Sequence, residues 1–119
     1  MKISVLGAGN GGTAVAAELS LRGHEVTLVK TSNSMHDDNF EYLLKNGGVV
    51  NLIEGGKTRT AKIAHVTREL SEISRSEVVI VYIQTNYHEE LIKRIKPHLR
   101  GGQILLLNPG YLSTAYVLK

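Results

Sequence analysis

Gly7-Ala8-Gly9-Asn10-Gly11-Gly12 follows the apolar run Ile3-Ser4-Val5-Leu6 and leads into Thr13-Ala14-Val15-Ala16-Ala17-Glu18-Leu19. It reads strand, tight turn, helix. Gly7 lets the chain turn sharply, Gly9 lets backbone approach a pyrophosphate, and Gly12 lets the helix pack close to the strand. The helix's unpaired first-turn amides and the positive end of its dipole favour an anion at that point. A second strand, Glu25 to Lys30, is expected after Arg22-Gly23-His24. In this context the glycine spacing predicts a dinucleotide site made by Gly7, Ala8, Gly9, Asn10, Gly11 and Gly12. The alternative is a glycine turn that serves structure alone.

The length of 119 residues suits one hydrophobic core, not two ordinary domains, so residues 1–119 are expected to form one dinucleotide-binding domain. With 42% hydrophobic and 21% charged residues the composition is that of a folded globular protein. The absence of Cys removes disulfides, thiolate metal sites and a Cys nucleophile. No apolar run reaches the roughly 18 residues that span a bilayer, and Met1-Lys2 leads directly into a strand. A cytoplasmic location without membrane contact is the expectation. The charge of +3 does not imply nucleic acid, because basic residues are dispersed and aromatics are only 5%. Lys93, Arg94, Lys96 and Arg100 cluster after Glu89 and Glu90 on one expected helix, an order that suits the helix dipole and a solvated face.

Along the chain, a helix is expected from about Gly11 to Leu21, ended by Gly23. Thr31-Ser32-Asn33-Ser34 reads as a loop, and Met35 to Lys45 as a short amphipathic helix carrying Phe40, Leu43 and Leu44. Val49 to Ile53 and Thr58 to Ala64 flank Glu54-Gly55-Gly56-Lys57, which predicts an antiparallel hairpin. Gly56-Lys57-Thr58 is no P-loop, since Asn51 stands where that motif needs its first glycine and no helix follows. Thr67 to Ile73 is expected as a short helix with Thr67 as its cap. Glu77 to Ile83 reads as a central strand covered on both faces, Asn86 to Leu99 as a helix, and Gln103 to Leu107 as the last clear strand. Tyr111 to Lys119 shows no strong pattern and is expected as a helical or frayed tail.

Alternating strands and helices predict an α/β, Rossmann-type doubly wound parallel sheet of order 3-2-1-4-5, with the hairpin at or near an edge. Ligands of such sheets lie beyond the carboxyl ends of the strands, at the switch point. Gly7 to Gly12, Lys30 to Ser32, Gln84 to Asn86 and Asn108 to Gly110 would all meet there. An acidic residue at the end of the second strand selects NAD by accepting from the ribose hydroxyls. This chain has Lys30, whose ammonium, with Thr31 and Ser32 as donors, would suit the 2′-phosphate of NADP. If Lys30 instead points into water, the cofactor is NAD held without that clamp.

The run Ile3-Ser4-Val5-Leu6-Gly7-Ala8-Gly9-Asn10-Gly11-Gly12-Thr13-Ala14 resembles the N-terminal domain of the octopine/nopaline (opine) dehydrogenase family. Tyr87-His88-Glu89-Glu90, Lys96-Pro97-His98-Leu99 and Leu107-Asn108-Pro109-Gly110 resemble that family in the same order. The glycine motif itself is shared with many dehydrogenases, 2-dehydropantoate reductases among them. The resemblance implies a nicotinamide dinucleotide, NADP or NAD, and hydride transfer in the reductive condensation of an amino group with a 2-oxo acid. Their place at the strand ends makes Gln84, Thr85, Asn108 and Pro109 further expected cofactor-side residues. The resemblance also implies a second, helical domain, outside these 119 residues, that supplies most of the substrate pocket and the catalytic base. Where the family has an apolar residue and proline after the fourth strand, this chain has Gln84-Thr85, and Tyr111-Leu112-Ser113 replaces the family's arginine and glycines. On the residues alone, two further readings stand beside the opine one: a dinucleotide-binding or sensing module without catalysis, and the cofactor domain of a 2-dehydropantoate-reductase-like enzyme. The chain alone is expected to be inactive.

The five histidines form no His-x-His or His-x-x-x-His pair, so no metal site is expected. His88 is the one candidate acid or base, in the first turn of the helix after the fourth strand. A capping or surface role is its alternative. A homo-oligomer is compatible with the sequence, which carries no signal for or against one.

Overall fold

The computed structural model describes residues 1–8, 10–31, 37–82, 88–108 and 114–117. In chain order the elements are β1 (Lys2–Leu6), α1 (Asn10–Leu21), β2 (Glu25–Val29), α2 (Asp37–Lys45), β3 (Val49–Glu54), β4 (Lys57–Lys62) and β5 (His65–Thr67). A 3-10 turn (Leu70–Arg75), β6 (Val78–Tyr82), α3 (His88–Ile95), a second 3-10 turn (Lys96–His98), β7 (Ile104–Asn108) and β8 (Thr114–Val117) complete it. The main sheet runs β5-β2-β1-β6-β7-β8, parallel except for β8. Counting only its parallel strands, the order is 3-2-1-4-5, but the third of them is β5, a strand the sequence reading did not expect. The fold is Rossmann-type.

Side chains alternate across the sheet and build a core on each face. Ile3, Val5, Val26, Leu28 and Val78 pack with Ala16 of α1, Phe40 and Leu43 of α2, and Ile63. Leu6, Val29, Val79, Val81 and Leu105 pack on the other face with Ile73, Leu91 and Ile95. Small residues on α1 allow the close approach: Ala16 and Ala17 are fully buried. Of the apolar residues expected to bury α2, Phe40 and Leu43 do so and Leu44 stays exposed. Ser4, in the middle of β1, is buried against Ser76, and the two hydroxyls satisfy one another.

The hairpin forms as expected, with Glu54 opposite Lys57 and positive φ at Gly55 and Gly56. It joins no edge of the main sheet. β3 and β4 make a sheet of their own that packs on α1, where Arg59 Nη2 lies 2.6 Å from Glu18 Oε2.

The hairpin's expected place at or near an edge of the sheet is thus corrected, and two further expectations are corrected with it. Thr67 does not cap a helix over Thr67 to Ile73. It ends the edge strand β5, whose backbone pairs with Thr27 to Val29. Its hydroxyl accepts from the Glu69 amide at 3.1 Å, and only a 3-10 turn follows. The serines explain why that turn does not lengthen, since their hydroxyls compete for backbone groups, as Ser74 does at the Ser71 carbonyl, 3.0 Å away. The tail is the second correction, because residues 114–117 form β8, antiparallel to β7 from Leu107 opposite Thr114 to Ile104 opposite Val117.

Candidate functional site

The register aligns the carboxyl ends of the parallel strands: Leu6 lies beside Val29 and Val81, Val29 beside Thr67, and Tyr82 beside Asn108. β1 hands on to β2 on one side and β6 to β7 on the other, so the switch point lies between β1 and β6. The glycine turn leaves β1 there. Gly7 has φ of 116°, a left-handed value that a side chain would strain, and its amide donates to the Val29 carbonyl at 2.8 Å. A Cβ on Gly12 would stand 1.8 Å from the Gly7 carbonyl oxygen. The close helix-to-strand packing expected of Gly12 is therefore present. A Cβ on Gly11 would stand 2.2 Å from Cε1 of Tyr82, whose ring fills the space beside the start of α1.

Asn10, Gly11, Gly12 and Thr13 open α1, and no acidic side chain lies in its first turn. First-turn amides have no partner within a helix, so this end offers donors and a positive dipole to an anion at the switch point. Thr13 is turned inward, its hydroxyl 3.4 Å from the Ala8 carbonyl. The donor set fits a pyrophosphate.

At the end of β2, Lys30 is only 3% exposed, so it does not point into water. It shares the inner face with Val26 and Leu28 and places Nζ 5.9 Å from the centroid of the Phe40 ring. Arg68, just beyond β5, sits over the same ring at 4.7 Å. Glu41 accepts from Arg68 at 3.2 Å. Burial lowers the pKa of the Lys30 ammonium, the Arg68 charge lowers it further, and Glu41 opposes both. The Lys30 amide donates to the Thr67 carbonyl at 2.9 Å, joining the ends of β2 and β5. The Thr31 carbonyl accepts from Arg94 of α3 at 3.1 Å, which ties the loop after β2 to the opposite face.

Residues 3–115 match the model of one protein family, described as ketopantoate reductase PanE/ApbA. The chain belongs to that family. Among individual relatives, an opine dehydrogenase of Arthrobacter sp. (strain 1C) is 28% identical over 109 residues, covering 90% of this chain and 29% of the relative. A glycerol-3-phosphate dehydrogenase [NAD(P)+] of Thermoanaerobacter sp. (strain X514) is 29% identical over 100 residues, covering 81% of this chain and 27% of the relative. This chain thus spans less than a third of either relative. A PanE/ApbA family ketopantoate reductase from Ralstonia eutropha JMP134 shares the fold, with a TM-score of 0.73 at 20% identity over 91% of this chain and 34% of that one. The opine likeness seen in the sequence is therefore one branch of a wider kinship, and the family model names the ketopantoate reductases.

Within this family fold, Gly7, Ala8, Gly11, Gly12, Lys30 and Thr31 come together at the carboxyl edge of the sheet, with the backbones of Asn10 and Asn108. Gly9, Ser32, Gln84, Thr85 and Pro109 lie outside the described residues. His88 is the first residue of α3, as expected, and its side chain lies outside the description as well. The basic cluster is solvated: Lys93, Arg94, Lys96 and Arg100 are exposed. No described helix is long and apolar enough to cross a membrane. Sequence reasoning missed Tyr82 and Arg68. Tyr82 was hidden as one more apolar residue of a strand, and Arg68 by the helix expected from Thr67 onward. The β-branched pair Val66-Thr67 was the signal for a strand that would have put Arg68 at its end.

Proposed function

We propose that this chain holds a nicotinamide dinucleotide across the β1/β6 switch point, as the cofactor-binding portion of an oxidoreductase that reduces a 2-oxo acid. The observation that carries this reading is the glycine turn, in which Gly12 closes on the Gly7 carbonyl and aims an α1 terminus free of acidic side chains at the switch point. In this reading Gly7 to Gly12 hold the pyrophosphate, and Lys30, Thr31 and Ser32 surround the adenosine ribose. Gln84, Thr85, Asn108 and Pro109 flank the nicotinamide. The bound dinucleotide supplies the hydride. NADP is preferred over NAD, since cations stand where an NAD site carries a carboxylate.

Membership of the ketopantoate reductase family favours simple reduction of the 2-oxo group. Reductive condensation with an amine is the second reading, supported by Gly9-Asn10-Gly11-Gly12, by the later Asn108-Pro109-Gly110 and by the opine dehydrogenase relative. Either reaction needs a base and a chamber that excludes water, and residues beyond this chain would provide them.

Calorimetric titration of NADPH into the chain and into Gly9→Val tests the binding. A valine at the point of closest approach should cost at least about tenfold in affinity, or roughly 1.4 kcal/mol, with the circular dichroism spectrum unchanged. Equal affinity in the two would remove the glycine turn from the site. NADPH absorbance should stay constant with a 2-oxo acid, with or without an amino acid; a substrate-dependent loss would show that the chain catalyses unaided.

A further inference from the structure

We infer that Asn46 is a site of self-modification, at which the Gly47 amide nitrogen attacks the Asn46 side-chain amide and the residue becomes aspartate or isoaspartate. This stands independently of the dinucleotide reading. A new bond from that nitrogen to Cγ closes a five-membered succinimide while the bond from Cγ to Nδ2 breaks. The attacking nitrogen gives its proton to solvent, and the side-chain nitrogen leaves as ammonia. Water then opens the ring. Attack at the side-chain carbonyl gives aspartate, and attack at the main-chain carbonyl gives isoaspartate, whose backbone runs through the former side chain. One water is consumed and one ammonia released, with no change of oxidation state.

The end of α2 supplies what the reaction needs. Gly47 has no side chain to crowd its nitrogen, and a Cβ there would meet nothing within 4 Å. Its amide reaches the Leu44 carbonyl only at 3.5 Å, beyond the roughly 2.7 to 3.2 Å of an ordinary bond, whereas the Gly48 amide holds the Leu43 carbonyl at 2.8 Å. The nucleophile is thus the loosest donor of the helix cap. Asn46 Oδ1 accepts from the Val49 amide at 3.1 Å, which sets a donor at the oxygen where negative charge grows as the nitrogen adds to Cγ. Asn46 Nδ2 bonds no other described residue and is not buried, so nothing retains the leaving ammonia. Asn10-Gly11 is the same dipeptide, but it lies inside α1. Ring closure needs the asparagine Cβ nearly eclipsed with the next nitrogen, and a helical ψ of about −42° turns the two apart. Asn46 follows Lys45, the last residue of α2, where no further helical turn has to unwind. Isoaspartate there would lengthen the main chain by one methylene and set a carboxylate at the helix's negative end. Gly48 cannot absorb that shift, since its carbonyl is held as well, by the Ile63 amide at 2.9 Å, so modification loosens the joint between α2 and the hairpin.

The test follows the wild-type chain by tryptic peptide mass mapping during days of incubation at mildly alkaline pH and physiological temperature, in the native state and in concentrated urea. In the native state the peptide that begins at Asn46 should gain one mass unit at least about tenfold faster than the peptide that holds Asn10. In urea neither cap nor helix remains, and the two rates should converge to within about threefold. The native rate should rise with pH, because the attacking nitrogen must lose its proton. Asn51 lies in the same tryptic peptide as Asn46, so Asn46→Gln, which would need a six-membered ring, serves as the control. An undiminished gain in that variant, no gain in the native wild type, a smaller native ratio than this, or a ratio that urea leaves unchanged overturns the inference. The modified fraction, separated by its added charge, should unfold at a lower urea midpoint than the unmodified chain. Equal midpoints would overturn the loosening of the hairpin.

Discussion

The carbonyl oxygen of Gly7 occupies the place where a β-carbon on Gly12 would have to go, 1.8 Å from it. Because the obstructing atom is backbone, no rotamer change can make room. The helix would have to move away from the strand, and with it the amides that face the switch point.

Gly12→Ala should accordingly destabilise the fold by about 1 to 3 kcal/mol, the usual cost of overpacking, and weaken dinucleotide binding as well. Urea denaturation followed by circular dichroism gives the first number, and calorimetry the second. A midpoint equal to that of the wild type would mean that α1 is not seated as closely as the geometry requires.

Gly11 is constrained by a different neighbour. A β-carbon there would meet the ring of Tyr82, 2.2 Å away at Cε1, and a ring on a strand end can be removed by mutation. Gly11→Ala should cost about 1 to 3 kcal/mol in the wild-type background and markedly less in Tyr82→Ala, giving a coupling energy of at least about 1 kcal/mol. Additive effects in the double-mutant cycle would show that Tyr82 does not press on the turn.

What the sequence disclosed follows from how local each signal is. The turn from Gly7 to Gly12 is a local motif between an apolar strand and an alanine-rich helix, and it was legible with its expected packing at Gly12. Gly55-Gly56 likewise announced the hairpin, though not that Arg59 and Glu18 would dock it on α1, a pairing across 41 positions. β5 and β8 span three and four residues, too few for alternation to show, and β5 gains its backbone partner only from β2, far away in the chain. The same distance hid the site. Nothing local to Lys30 says that Phe40 and Arg68 will meet it, so a lysine read as a partner for a 2′-phosphate, or else as a surface cation, proves to be covered.

A buried amide offers a test on the other side of the sheet from the glycine turn. Gln103 is 2% exposed, and its Nε2 donates to the carbonyls of Ile73 at 2.8 Å and Ser76 at 2.7 Å, while its Oε1 accepts from the Arg100 amide at 2.6 Å. It thereby clamps the 3-10 turn before β6 to the turn before β7. Gln103→Leu keeps the volume and strips this partner from the Ser76 carbonyl and the Arg100 amide, while the Ile73 carbonyl keeps the Ser76 amide, for an expected loss of about 1 to 3 kcal/mol, measured as a fall in the urea midpoint. A loss below about 0.5 kcal/mol would show that the clamp is dispensable.

Lys30 gives the pH dependence. Burial first, and then the Arg68 charge, disfavour its ammonium in the folded chain, so its folded pKa lies below that of the unfolded chain. Below the folded value the lysine is charged in both states, and the native state bears the whole cost of covering that charge. As pH rises through the folded value toward about 10, the folded lysine releases its proton first. The unfolded chain then binds more protons, and by linkage the wild type gains stability with pH. Lys30→Met keeps the aliphatic stem and removes the charge, and should therefore be more stable than the wild type at pH 7, with the gap narrowing between pH 7 and about pH 10. Urea midpoints of the two proteins across that range decide it. A gap that stays constant with pH, or that opens in favour of Lys30→Met as pH rises, would show that the Lys30 ammonium is not disfavoured in the folded chain.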